Sequence, residues 1–194
     1  MASPKILVFA GSLRVDSFNK KLAHVAKDVA EAAGAKVTYL DLRDYRIPPY
    51  DGDMEAAAGI PERAQSLREL MAEQDGFIIA SPEYNGSIPG TLKNYIDWVS
   101  RPDGDVPGLV AFKGKVAALL SASPGALGGM RGLVHLRAIL GGIGVLVTPE
   151  QHAVGKAHEA FDEAGQLKDG KQQTAVEKVV QRMVEVTGRL GQAE

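Results

Sequence analysis

The chain has 194 residues, 45% of them hydrophobic and 24% charged, with a formal net charge of −2. That length and ordinary composition fit one globular domain spanning residues 1–194 and exclude collagen-like, disordered and coiled-coil chains. Lys and Arg are dispersed, so no broad basic surface invites a nucleic-acid partner, and the absence of cysteine excludes disulfides, thiolate metal sites and cysteine nucleophiles, leaving redox chemistry to a borrowed cofactor.

The opening segment MASPKILVFAGS is too short in its apolar run for a signal core or a bilayer span, which predicts a cytoplasmic protein with no membrane partner. Lys5 to Ala10 is a continuous apolar run closed by Gly11 and Ser12, the pattern of a strand buried on both faces of a parallel sheet. From Asn19, Leu22, Val25, Ala26, Val29 and Ala33 recur at helical spacing until Gly34, a residue suited to a helix end. Lys36 to Leu42 reads as a second strand, and a helix opens at Pro61, which suits a first helical turn. Gly76 to Ala80 reads as the third strand, Thr91 to Ser100 as a short helix, and Lys115 to Ser121 as the fourth strand. A helix from Gly129 to Leu140 leads to a fifth strand over Ile143 to Val147, and Val176, Val179, Val180, Met183 and Leu190 mark a last amphipathic helix. Arg43 to Gly59, Arg101 to Gly114 and Pro149 to Asp169 lack regular pattern and read as long loops, the usual material of functional rims.

Strands alternating with helices imply right-handed crossovers and a doubly wound α/β fold with both sheet faces covered. Five strands favour the flavodoxin-like order 2-1-3-4-5, since the six-strand dinucleotide order needs a further unit.

After the first strand come Gly11, Ser12, Leu13, Arg14, Val15, Asp16, Ser17, Phe18 and Asn19, leading into a helix. Such a loop presents N–H groups and the positive end of a helix dipole, to which Ser12 and Ser17 add hydroxyls, Asn19 an amide and Arg14 a forked cation. Neither G-x-G-x-x-G nor G-x-x-x-x-G-K-[ST] occurs there. A pyrophosphate demands those glycines, whereas a terminal monophosphate of charge about −2 accepts bulkier donors, which points to FMN. Ser17 as a plain helix cap is the competing reading.

The third strand runs into Ser81, Pro82, Glu83, Tyr84, Asn85, Gly86, Ser87, Ile88, Pro89 and Gly90. In a 2-1-3-4-5 sheet the first and third strands flank the topological switch point, so the two loops meet there. Tyr84 offers a wall for a flat ring, and Asn85 with the backbone near Gly86 offers donors to it; a rigid turn is the alternative. Ser123, in the turn Ser121 to Gly129, is a third contact, against the alternative that this turn is glycine-rich for packing alone.

With GSLRVDSFN, SPEYNGSIPGTLKNYIDWVSR and the turn from Ser123 to Gly129 in place, the chain resembles the NAD(P)H-dependent FMN reductase family of flavodoxin-like proteins, which includes quinone, azo-dye and chromate reductases. The resemblance implies that Ser12, Arg14, Ser17 and Asn19 hold the FMN phosphate, with Leu13 and Phe18 in the same stretch. It implies that Glu83, Tyr84, Asn85 and Gly86 line the isoalloxazine, with Pro82 and Ser123 also contacting cofactor. It further implies NADPH or NADH as co-substrate, small-molecule electron acceptors, and a homodimer or homotetramer with the helix of Lys93, Asp97 and Trp98 near the contact. His24, His135, His152 and His158 do not form metal-ligand spacing, so no metal is expected, and hydride transfer at the flavin, oriented by Asn85 and Gly86, calls for no catalytic side chain. Gly86 departs from the larger residue many relatives carry. A flavodoxin-type electron carrier and an FMN-binding sensor are the other classes this fold would suit.

Overall fold

The computed structural model describes residues 3–191. Its strands are β1 (Lys5–Ala10), β2 (Lys36–Leu40), β3 (Gly76–Ala80), β4 (Val116–Ala122) and β5 (Leu146–Val154), and its α-helices are α1 (Phe18–Ala32), α2 (Gly52–Ala58), α3 (Glu62–Ala72), α4 (Gly90–Val99), α5 (Met130–Gly142), α6 (Ala157–Ala160) and α7 (Gly170–Leu190). The strands form one parallel sheet in the order β2-β1-β3-β4-β5, as the alternation of elements predicted.

Every position of β3 and β4 is buried, and all of β1 except Lys5, because helices cover both faces of these inner strands. Side chains alternate across the pleat: Ile6, Val8, Ile78 and Leu120 meet α1 and α7 on one face, while Leu7, Phe9, Phe77 and Leu119 meet α3, α4 and α5 on the other. Burying each such side chain stabilises the fold by about 1.5–3 kcal/mol relative to exposure. The register pairs Ala10 of β1 with Ala80 of β3, so both strands end level and their following loops rise side by side.

Three expectations are corrected. β2 ends at Leu40 rather than Leu42, since Asp41 turns the chain into a 3-10 helix over Leu42–Asp44 by accepting a hydrogen bond from the Arg43 N–H at 3.0 Å. The stretch from Arg43 to Gly59 contains α2, whose N-cap is Asp51; α2 buries no residue, so it carries no apolar period for the sequence to display. The fifth strand is Leu146–Val154, not Ile143 to Val147. Ile143 closes α5, and β5 runs on through Thr148, Pro149 and Glu150, where the pairing jumps from Ala117↔Val147 to Leu119↔Gln151. An edge strand tolerates a proline and polar residues at such an irregularity, which is why the apolar run stopped before the strand did. The expected loop Pro149 to Asp169 is therefore strand to Val154, then α6 and a bridge between Phe161 and Leu167.

The loop ahead of α2 is fastened to α4. Trp98 is fully buried and donates through Nε1 to the Pro48 carbonyl at 2.9 Å, while the Tyr50 ring meets it edge-on at 5.0 Å. Trp98 is thus an interior residue of this chain, whereas Lys93 and Asp97 form an exposed pair on the same helix.

Candidate functional site

At the carboxyl ends of β1, β3 and β4 two cavities adjoin, sharing Glu83 and Ser123 in their walls. The smaller, about 100 Å³, is lined by Ser12, Arg14, Ser17, Phe18, Asn19 and Tyr84 among others. The larger, about 580 Å³, is lined by Asn85, Gly86, Ser123, Arg131 and the Gly125–Gly129 loop.

The smaller cavity sits on the N-terminus of α1. Its first intrahelical bond runs from the Lys21 N–H to the Ser17 carbonyl, so the N–H groups before Lys21 have no acceptor within the helix. Ser17 stands at the N-cap position in extended conformation, yet its hydroxyl makes no cap hydrogen bond. The plain-cap reading fails on that geometry, and the hydroxyl is left for whatever enters the cavity. Ser12 Oγ accepts from the Arg14 N–H at 3.3 Å, which folds the loop back on itself. Arg14 is exposed and forms no ion pair among the described residues; the nearby Asp16 is bound instead to Lys21 at 2.9 Å. A cation, a hydroxyl and free helix N–H groups around one small cavity make an anion site.

Asn19, in the wall of the small cavity, also has a structural use. Its Nδ2 donates to the Ala122 carbonyl and its Oδ1 accepts from the Ala122 N–H, each at 2.9 Å. This reciprocal pair ties α1 to the end of β4 and leaves the second Nδ2 hydrogen without a partner among the described residues. Leu13 is 40% exposed and lines neither cavity.

The larger cavity is walled by a two-residue turn. Asn85 and Gly86 have φ of 53° and 78°, and Tyr84 and Ser87 exchange hydrogen bonds of 2.9 and 3.1 Å across them. An Asn-Gly pair in this left-handed geometry is the favoured tight turn between antiparallel arms, and Gly86 is the residue that adopts it without strain. The N–H groups of Asn85 and Gly86 take no acceptor among the described residues. Tyr84 is 51% exposed, a flat side chain in the wall of the smaller cavity next to this turn.

Glu83 lines both cavities, but its carboxylate is turned to α5. It accepts from Arg131 Nε at 2.8 Å and from the backbone N–H groups of Arg131 and Gly132 at 3.1 and 3.3 Å. Burial pushes this carboxyl up, but the hydrogen bonds from Arg131 and Gly132 outweigh it and hold it below the ordinary 4.5. One turn along α5, His135 Nδ1 lies 2.9 Å from Ser87 Oγ. Helix α5 thus fixes the turn at both ends. Arg131 went unmarked in the sequence because its partner lies 48 residues away and no local pattern links them.

The donor set fits FMN: the small cationic cavity, with the exposed Tyr84 in its wall, matches a monophosphate in size and charge, and the adjoining larger one offers the uncommitted N–H groups of Asn85 and Gly86 to a flat ring. A doubly wound sheet with these two chambers at its switch point is the architecture of a flavodoxin-like flavoenzyme. The family model of the NADPH-dependent FMN reductases matches residues 4–159. The chain belongs to that family and is an NAD(P)H-dependent oxidoreductase with FMN as its cofactor.

Among its relatives, a 2-hydroxy-1,4-benzoquinone reductase from a Burkholderia species is 39% identical over 135 residues, covering 70% of this chain and 69% of the relative. An NAD(P)H-dependent FMN reductase of Pseudomonas aeruginosa is 36% identical over 181 residues, 92% of each chain. Among solved structures, FerB, a flavoenzyme NAD(P)H:(acceptor) oxidoreductase from Paracoccus denitrificans, superposes with a TM-score of 0.81 at 32% identity, covering 96% of this chain and 98% of FerB. No helix among the described residues is long and apolar enough to cross a membrane.

Proposed function

We propose that this chain is a cytoplasmic quinone reductase acting as one unit over residues 1–194, with Ser12, Arg14, Ser17 and the N-terminus of α1 holding the FMN phosphate and Tyr84, Asn85, Gly86 and Ser123 lining the ring. The observation that carries the reading is the adjoining pair of cavities, one sized and charged for a monophosphate and the other large enough to admit a second molecule over a bound ring.

When bound, FMN takes two electrons from NAD(P)H and passes them to an acceptor. The protein's own part is orientation: the uncommitted N–H groups of Asn85 and Gly86 would donate to the ring and stabilise negative charge on its reduced form, and no side-chain acid or base is required. The larger cavity is a single chamber, so nicotinamide and acceptor occupy it in turn, a ping-pong cycle. Azo compounds, free flavins and chromate or other metal oxyanions are further acceptors of suitable potential. Assembly is as a homodimer or homotetramer, which sedimentation resolves.

Anaerobic stopped flow tests the reading. Excess NADH or NADPH should bleach the bound flavin within a turnover time, and a quinone added afterwards should restore the colour. A flavin that stays oxidised with both nucleotides, as in a one-electron carrier, would overturn it.

A further inference from the structure

The segment from β5 through Leu167 supplies no residue to the wall of either cavity. It nonetheless touches the supports of both. On the ring side, the Gly125–Gly128 stretch lies flat against the end of β5. A Cβ on Gly155 would stand 2.6 Å from the Ala126 carbonyl oxygen, and one on Gly128 would stand 2.7 Å from the carbonyl carbons of Ala153 and Val154. Both clashes are with backbone, which cannot swing aside as a side chain can. Three backbone hydrogen bonds hold the seam: Ser123 N–H to Val154 O at 3.1 Å, Lys156 N–H to Gly125 O at 3.3 Å and Ala157 N–H to Ser123 O at 3.0 Å.

On the phosphate side, the Phe161 ring stacks on Phe18 with centroids 6.3 Å apart and planes 7° from parallel. Phe18 lines the small cavity at the first residue of α1, and Phe161 is buried and held by its bridge to Leu167. One short segment therefore reaches two loops that are over a hundred residues apart in the chain: Phe161 touches a residue of the small cavity alone, whereas the Gly155 seam supports the glycine loop of the larger cavity and Ser123, which lines both.

We infer that Gly155 and Phe161 are positioning residues for the cofactor: Gly155 seats the glycine-rich floor under the ring, and Phe161 sets the phosphate loop. This rests on the FMN assignment above, and comparison with riboflavin separates the two roles, since riboflavin has the ring without the phosphate. Apoprotein is titrated with FMN and with riboflavin by flavin fluorescence, and its thermal melt is recorded alone. Phe161→Ala should weaken FMN by about tenfold or more while riboflavin binding holds within about twofold, and Phe161→Tyr should restore the preference for FMN. Gly155→Ala should weaken both ligands by about tenfold, keep their ratio, and shift the visible absorbance of the bound flavin.

Equal loss of both ligands in both variants, in step with a lowered melting temperature, would mean a general structural role and would overturn the inference; so would unchanged affinities. If Gly155→Ala does not fold, hydrogen exchange on the wild-type chain decides the ring-side claim. FMN should slow exchange at the Lys156 and Ala157 N–H groups, and unchanged rates there would refute it. A wild-type protein that binds no FMN sinks the assignment itself, a different result from either.

Discussion

The two chambers of the site are built by opposite means. The proposed phosphate end uses charge and a helix: a small cavity, a guanidinium with no carboxylate partner among the described residues, and a buried amide tether between α1 and β4. The ring end uses backbone: left-handed residues at 85 and 86, a glycine loop against β5, and an opening several times larger. On the proposed cofactor site, the contrast amounts to a division of labour, in which contacts remote from the reacting ring would retain the cofactor and the sparse end would leave room for exchange of substrates.

Breaking the tether should have the largest effect. Asn19→Leu strands the buried N–H and carbonyl of Ala122, at about 1–3 kcal/mol each, so chemical denaturation should show a loss of roughly 2–5 kcal/mol. An unchanged midpoint would show that the tether does not hold α1 against the sheet.

Arg14→Ala comes next and tests the charged end alone. Losing a charge-assisted phosphate contact of about 1.5–3 kcal/mol should weaken FMN by roughly 10- to 150-fold, with apoprotein stability unaltered. Equal affinity in the two proteins would remove Arg14 from the site.

Glu83→Gln probes the ring end. It keeps the shape but weakens the contacts to Arg131 and Gly132, by about 1 kcal/mol, and should lower kcat/KM for quinone about fivefold while FMN affinity stays within about twofold. The same group sets an acid limit. Its folded pKa lies below 4.5, so its contribution is complete above that value and is lost as pH falls through the lowered one. Wild type should lose stability over that window more steeply than Glu83→Gln, and superimposable pH profiles would deny the clamp.

The smallest effect is expected away from both chambers. Lys93→Ala removes an exposed i,i+4 pair with Asp97 at a cost of about 0.3–0.5 kcal/mol and should leave flavin binding untouched. A change in sedimentation in that variant would sharpen the picture by assigning α4 to a subunit contact.

The inner strands and the gathering of Ser12, Arg14, Ser17 and Asn19 around one cavity were readable from the chain because their signals are local. Lys5–Ala10 and Gly76–Ala80 are unbroken apolar runs, and the residues from Gly11 to Asn19 stand together in the sequence as they stand in space. α2 and β5 were misjudged because one buries nothing and the other is an edge strand carrying Pro149. The dual use of Asn19 and the turning of Glu83 toward α5 had no local sign at all. By itself, then, the sequence determined the alternation of elements, the sheet order and the meeting of two loops at the switch point, since hydrophobic period and turn chemistry act over a few residues. Only the tertiary structure decided that Asn19 ties α1 to β4, that Arg131 meets Glu83, and that Gly155 and Phe161 back the two chambers, because those partners are joined by packing and hydrogen bonds across distant stretches of chain.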